Sequence, residues 1–290
     1  MFPPPDFLLK SIVALEQVVE APALLRGTFV FELGGQRWAS DTGSDSYQLP
    51  EYFTQTVQHR YGFYRKSTAG HNTLTFDNDN NDNSNRGACD QYPGMAGITE
   101  IILFQHGTSA ITTSPAYAIV DLTAAYANQT GASRVQRGFA FTEHFEQLII
   151  VDEIEFSNRS SAESARVPSN VTWTMHTFAQ ITTTGTRALL SLGGAALHAK
   201  ILEPVGSVSV CTFHSAKVSL APPQRSSTGL SKLMIHLPMP TPQVENIGSM
   251  RTAASTRIVV SLSLNASAVP SRTRTLAQWE ALGPFVERTP

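Results

Sequence analysis

The chain has 290 residues, of which 41% are hydrophobic and 15% charged, and its formal net charge at pH 7 is −2. The apolar fraction excludes general disorder, and the absence of an apolar run of about 18 residues argues against a membrane span. The near-neutral charge argues against a nucleic-acid-binding protein, which usually carries a basic excess.

Residues 1–26 are predicted to form a helical leader. Apolar residues between Leu8 and Val19 recur with a period close to that of an α-helix, Asp6 can cap its N-terminus, and Pro22 ends it. No basic region precedes an apolar run at the N-terminus, so no secretory signal is predicted.

From Gly27 onward the pattern changes to short β-like runs separated by Gly, Pro, Asn and Ser. This pattern predicts the all-β class, with one large antiparallel β-sandwich over residues 27–270. Residues 271–290 are predicted to form a peripheral tail with a short helical stretch at 276–282. The predicted strands are Thr28–Leu33, His71–Asp77, Ile98–Phe104, Ala116–Leu122, Arg134–Thr142, Gln147–Glu155, Val171–Gln180, Ala188–Leu192, Ala196–Leu202, Val208–Phe213, Leu233–Leu237 and Arg257–Leu264.

Three segments, at residues 35–47, 60–74 and 121–153, place polar residues densely on or beside predicted strands. In chain order they hold RWASDTG at 37–43, YR at 64–65, GHNTL at 70–74, VDLTAAY at 120–126, RGFAF at 137–141 and VDE at 151–153. In this order the motifs resemble the C-terminal β domain of the heparinase II/III-like polysaccharide lyases. The resemblance covers residues 27 to about 215.

The resemblance implies a substrate class and a second domain. Members of the family combine a toroid of α-helices with the β domain, and they cleave acidic polysaccharides such as heparan sulfate or alginate by β-elimination. They are often periplasmic or secreted proteins. The expected partners are therefore an acidic polysaccharide and a separate helical toroid domain, with no nucleic acid.

The resemblance also implies a metal site, because several members bind zinc. Two of the family's ligands match Asp41, in RWASDTG, and His71, in GHNTL. The third ligand and a catalytic histidine belong to a His-x-His segment that this chain replaces with APALLRG at 21–27. Zinc sites use three or four protein ligands, so the predicted set is incomplete unless His106 or His176 folds inward. In the alternative interpretation, Asp41 is a turn residue and His71 bonds to neighbouring backbone.

Substrate contacts are predicted for Tyr61, Tyr64 and Arg65, which precede the GHNTL motif where the family presents substrate-facing groups. A tyrosine ring can stack on a sugar, and an arginine can pair with its carboxylate. The alternative is a half-buried sheet aromatic beside a surface arginine. No catalytic residue is assigned.

The remaining polar candidates favour structural roles. Asp121 and the pair Asp152–Glu153 end apolar runs, where they are expected to cap turns or to pair with Arg134 or Arg137. The loop at 77–90 lacks the glycine of a calcium-binding loop, and two cysteines make no disulfide framework.

Three hypotheses for the function remain open. In the first, the chain is the β portion of a lyase whose toroid is supplied by another chain or was lost by truncation. The β portion is then inactive without that toroid. Alternatively, it is a non-catalytic module that binds acidic glycans or packs against a partner, or it is an incomplete gene product. A missing toroid predicts an exposed apolar patch around Tyr47, Tyr52, Phe53 and 61–64.

Overall fold

The structure, a computed structural model, describes nine stretches of the chain. They are residues 26–54, 61–77, 99–105, 116–141, 147–156, 168–204, 211–239, 254–267 and 274–280. The predicted helical leader lies outside the described residues, as do Cys89, His106 and most of the loop at 77–90. The division of the chain at residues 26 and 270 therefore stays a prediction. No helix within the described stretches is long and apolar enough to cross a membrane.

The described residues form fourteen strands, two α-helices and two 3-10 turns. The strands are β1 (Phe31–Leu33), β2 (Gln36–Ala39), β3 (Leu74–Phe76), β4 (Glu100–Gln105), β5 (Tyr117–Asp121), β6 (Arg134–Phe141), β7 (Gln147–Phe156), β8 (Asn170–Thr177), β9 (Gln180–Thr184), β10 (Arg187–Leu192), β11 (Ala195–Glu203), β12 (Phe213–Lys217), β13 (Ser231–Pro238) and β14 (Ala254–Ser263). The helices are α1 (Thr123–Thr130) and α2 (Leu276–Glu280), and the 3-10 turns are η1 (Tyr64–Lys66) and η2 (Thr68–Gly70).

Two antiparallel sheets form the body of the molecule, and this confirms the predicted all-β class. The larger sheet has eight strands in the order β4-β5-β6-β7-β14-β11-β10-β9, and the smaller has four in the order β12-β13-β8-β3. One apolar cluster joins them, since Trp173 and Ile235 of the small sheet share it with Ile150 and Val260 of the large sheet. Phe29 bridges the two, with its ring 5.6 Å from that of Phe139 and 6.3 Å from that of Trp173. Burial of these apolar side chains is the main source of stability in such a core.

Four elements differ from the prediction, each for a local reason. Strand β2 was not predicted because it lies inside a polar motif, but it pairs with β1. Strand β9 was not predicted because it is rich in threonine rather than in large apolar residues. Helix α1 begins where the Asp121 carboxylate accepts the Thr123 N–H at 2.7 Å, and it ends at Gly131 in the left-handed region. Half of the predicted strand at 208–213 lies outside the described residues, and β12 begins only at Phe213, because residues 211 and 212 form no strand.

Helix α2 covers the outer face of the large sheet. Leu276 and Trp279 are buried there against residues that include Tyr117 and Val151. The helix lies so close to Gly138 of β6 that an added Cβ would stand 2.3 Å from Leu276 Cδ2 and 2.5 Å from the Trp279 ring. Only glycine leaves room for this contact.

A buried ion pair lies at the centre of the large sheet. Arg137 and Asp152 are fully buried cross-strand neighbours on β6 and β7, and their side chains are joined by hydrogen bonds of 2.7 and 3.0 Å. The remaining terminal nitrogen of Arg137 donates to the carbonyls of Gly27 and Asn72, at 2.7 and 2.8 Å. Arg134 pairs with Glu153 and Glu155 near the surface. The predicted pairing of Asp152 and Glu153 with Arg137 and Arg134 is therefore confirmed.

Replacing Asp152 with Asn should unfold the protein far more readily than replacing Glu155 with Gln. The first change leaves the Arg137 charge buried without its counter-ion, which costs about 3–5 kcal/mol. The second removes one partner of a solvent-exposed pair, worth about 0–1 kcal/mol. Urea unfolding measures both differences, and equal losses for the two variants would contradict the central role of the Arg137–Asp152 pair.

Candidate functional site

The candidate site lies at one end of the small sheet, on the face that points away from the core. Strand β8 alternates, so that Trp173 and Met175 enter the core while Thr174 and His176 lie on the opposite face. The turns η1 and η2 bring Tyr64 to His176, although 112 residues separate the two in the chain.

Tyr64, His176 and Asn72 form a hydrogen-bonded series. The amide nitrogen of Asn72 donates to the carbonyls of Phe29 and Ser40, at 2.7 and 3.1 Å, so its oxygen faces His176. That oxygen accepts the His176 backbone N–H at 2.6 Å and lies 3.0 Å from Nδ1. Nδ1 therefore carries the proton, and Nε2 accepts the Tyr64 hydroxyl at 2.7 Å. This is the arrangement of a nucleophile–histidine–orienting-group triad with a phenol in the first position.

Burial keeps both rings of this series neutral. His176 has no solvent exposure, and burial lowers its pKa to about 3, with the nearby His71 and Lys232 acting in the same direction. Burial also raises the pKa of Tyr64 well above its usual value. Tyr64 as a whole is half-buried, so part of the residue is accessible from outside.

Asp41 and His71, the two predicted metal ligands, lie side by side. Asp41 Oδ2 is 2.9 Å from His71 Nδ1, and Asp41 Oδ1 accepts the Gly43 N–H at 2.7 Å. Burial alone would raise the pKa of Asp41, but the hydrogen bond and charge of His71, with the Gly43 hydrogen bond, hold that pKa below its ordinary value. His71 Nε2 is buried and has no hydrogen-bond partner among the described residues.

This pair does not make a zinc site by itself. The described part of the chain contains no group of three His, Cys, Asp or Glu that could hold a metal, and zinc sites use at least three protein ligands. His176 does not complete the set, because Tyr64 and Asn72 occupy both of its ring nitrogens. His106 lies outside the described residues.

Arg65 and Tyr61 face the protein rather than solvent. The Arg65 guanidinium donates to the backbone carbonyls of Thr42 and Ser226, and its Nε lies 3.7 Å from the buried carboxylate of Asp45. Tyr61 is also buried. The substrate-binding roles of Tyr61, Tyr64 and Arg65 stay predictions.

The predicted apolar patch is present in part. Tyr47 and Phe53 are 65% and 61% exposed, which confirms the prediction for these two residues. The prediction is wrong for Tyr52 and Tyr61, which are only 4% and 5% exposed. Tyr52 is covered from within the chain, since its ring packs against those of Tyr47 and Phe53 and lies under the Lys66 ammonium at 3.3 Å.

Two residues of this region were not singled out from the sequence. Asn72 lies within the GHNTL motif, but its amide connects strands that are far apart in the chain. Lys232 faces His176 across strands β13 and β8, and only the alternation of β13 could have placed it on this face.

The comparisons with known proteins agree with this architecture. A family model described as "Heparinase II/III-like, C-terminal" matches residues 26–232, which is more than half of the chain. The matched region contains Asp41, Tyr64, His71 and His176. No curated protein matches the chain.

The stability of the protein should decrease as the pH falls from about 6.5 toward 3. The unfolded chain takes up a proton at His176 near its ordinary pKa of 6.5, whereas the folded chain excludes that proton down to about pH 3. His176→Gln should therefore flatten the decrease, measured by urea unfolding above about pH 4.5, where Asp41 does not yet titrate. His236→Gln, which removes a less buried ring whose pKa is also lowered, should flatten it less. An unchanged slope in His176→Gln would show that the imidazole is not held neutral.

The isolated chain should retain far less than one zinc ion after exposure to zinc and dialysis, because two protein ligands bind it weakly. Metal analysis by mass spectrometry measures the ratio, with His71→Ala as the control expected to give the same low value. A full equivalent that His71→Ala abolishes would contradict this and would require a third ligand outside the described residues.

Proposed function

The chain belongs to the heparinase II/III-like C-terminal family, and from this membership we propose that it is the β-sandwich portion of a polysaccharide lyase that cleaves uronic-acid-containing glycans by β-elimination. The family supports a module related to polysaccharide lyases. The Tyr64–His176–Asn72 series is the observation that carries the finer proposal, because it supplies a proton-transfer group on a half-buried surface.

The reaction sets clear chemical demands. The C5 proton of a uronic acid is weakly acidic, so the neighbouring carboxylate must be neutralised before a base removes that proton. The departing O4 oxygen must then receive a proton. A single phenol can serve both steps if a second group takes its proton and returns it.

Tyr64 fits this double role through His176. The Tyr64 oxygen takes the C5 proton as its own hydroxyl proton passes to His176 Nε2, and Asn72 stabilises the resulting imidazolium through Nδ1–H. The imidazolium then returns the proton to Tyr64, which delivers it to O4 as the C4–O4 bond breaks. The net result is the transfer of one proton from C5 to O4. The Tyr64–His176–Asn72 series, which we call the relay, returns to its starting state.

The same geometry explains why the chain alone is proposed to be inactive. A His176 pKa near 3 makes the ring a weak base at rest. Arg65, which would neutralise the substrate carboxylate, lies against Asp45 and two backbone carbonyls. We propose that a helical toroid domain, from another chain or from elsewhere in a longer protein, supplies the missing positive groups.

A role for Asp41 and His71 is suggested by the burial of His71. His71 Nε2 is shielded from solvent, so it does not reach a sugar in this arrangement. The electrostatic effect of His71 lowers the pKa of His176, and that of Asp41 raises it. We propose that the pair adjusts the basicity of the relay, and that it binds zinc only where a further domain adds a ligand.

A non-catalytic glycan-binding module is the second candidate function. It is favoured because the polar groups of the site already have hydrogen-bond partners within the chain. These groups are both ring nitrogens of His176 and the Arg65 guanidinium. Such a module would bind acidic polysaccharide without converting it.

The purified chain should bind polyuronate such as alginate but produce no unsaturated product, measured by calorimetry and by the ultraviolet absorbance of the new double bond. Heparan sulfate serves as the second acidic substrate, and dextran as the neutral control. Turnover by the chain alone would contradict its proposed incompleteness.

If turnover is nevertheless seen, the relay predicts that Tyr64→Phe lowers it by about a hundredfold or more. Retention of full activity in Tyr64→Phe would eliminate the relay. Absence of both binding and turnover in the wild-type chain would overturn the glycan proposal itself.

A further inference from the structure

The small sheet contains basic residues and no acidic ones. Its four strands, β3, β8, β12 and β13, carry two lysines and three histidines but no Asp or Glu along their described lengths. The large sheet differs, because strands such as β7 contain several carboxylates. An asymmetry of this kind favours the approach of an anion to the small sheet.

Three of these basic residues lie on the outer face of the sheet, where the buried Met234 stands between Lys232 and His236. Strand β13 turns Leu233 and Ile235 into the core, so Lys232 and His236 lie on the opposite face. They are four positions apart, which is about 13 Å along a strand. His214 of the neighbouring strand β12 lies beside His236, with the ring centroids 5.2 Å apart. We call Lys232, His236 and His214 the basic strip.

The basic strip is adjacent to the candidate site. Lys232 is the cross-strand partner of His176, whose pKa its charge helps to lower. The strip therefore begins next to the relay and extends along β13 away from it. A ligand bound along the strip would have one end near Tyr64.

The charge of Lys232 is not balanced by the described residues. Lys232 is half-buried and forms no ion pair or hydrogen bond with them, and burial lowers its pKa. Burial lowers the pKa of His236 as well, and the neighbouring His214 and Lys232 add to that effect. A bound carboxylate or sulfate would relieve this repulsion and favour the charged forms.

We propose that the basic strip is a binding subsite for the anionic groups of an acidic polysaccharide, which it holds with one end at Tyr64. The choice of a glycan rests on the proposed function. Threonine hydroxyls accompany the histidines, because Thr172 lies 2.9 Å from His236 and Thr212 lies 3.2 Å from His214, and such groups suit a polyhydroxylated ligand. A nucleic acid is disfavoured, because it would need more phosphate contacts than one lysine offers on a chain of net charge −2.

Affinity for alginate, measured by calorimetry at low salt, tests the subsite. Lys232→Gln should weaken binding about two- to fivefold, the range of one solvent-accessible ion pair, and the triple variant with His236→Gln and His214→Gln should weaken it further. Lys200→Gln, on strand β11 of the large sheet, removes the same charge elsewhere and should leave affinity unchanged. Unfolding curves establish that each variant is folded.

Chemical labelling gives an independent readout on the unmodified protein. Bound alginate should protect Lys232 from acetylation, as quantified by mass spectrometry of its peptide, whereas Lys200 should react equally with and without the polysaccharide. Dextran should protect neither lysine.

The outcomes separate this inference from the proposed function. The strip would be overturned if neither Lys232→Gln nor the triple variant weakened binding and if alginate left Lys232 unprotected. The proposed glycan function would still stand in that case. Failure of the wild-type chain to bind any acidic glycan would overturn both. Duplex DNA binding more tightly than alginate, with the same dependence on Lys232, would reassign the strip to nucleic acid and contradict the proposal.

Discussion

The buried guanidinium of Arg137 fixes the position of Asn72, on which the candidate site depends. Asp152 neutralises it within the large sheet, and the group then binds the backbone carbonyls of Gly27 and Asn72. Asn72 in turn uses its amide to connect Phe29, Ser40 and His176. The orientation of the His176 ring thus depends on a charge that has no solvent exposure. Such a charge is tolerated because its counter-ion is adjacent and each guanidinium nitrogen has a hydrogen-bond partner.

The burial that holds His176 and Tyr64 in position also determines how readily they exchange protons. A fully buried imidazole cannot easily accept a proton, and a phenol bonded to it cannot easily lose one. The relay is therefore well ordered and weakly basic. Within the proposed lyase, a negative charge beside His176, such as a bound uronate carboxylate, would raise its pKa and favour proton transfer through the series.

The sequence predicted the sheets better than the site, for physical reasons. Strands such as β6 and β7 were recognisable because apolar runs and turn residues are local signals. The adjacency of Asp41 and His71 followed from the family resemblance, and it is observed at 2.9 Å. By contrast, the Arg65 guanidinium lies beside the Asp45 carboxylate and donates to the carbonyl of Ser226, 161 residues further along the chain. The neutralisation of the Arg65 charge therefore depends on tertiary structure. The contact between Tyr64 and His176 is similarly non-local.

The close contact between helix α2 and Gly138 has a use beyond this molecule. Any side chain larger than hydrogen at that strand position would push away the indole and leucine that seal the outer face. In a homologue known only by its sequence, the residue that aligns with this glycine is therefore a diagnostic marker. A bulky residue there would indicate that its C-terminal segment follows a different path.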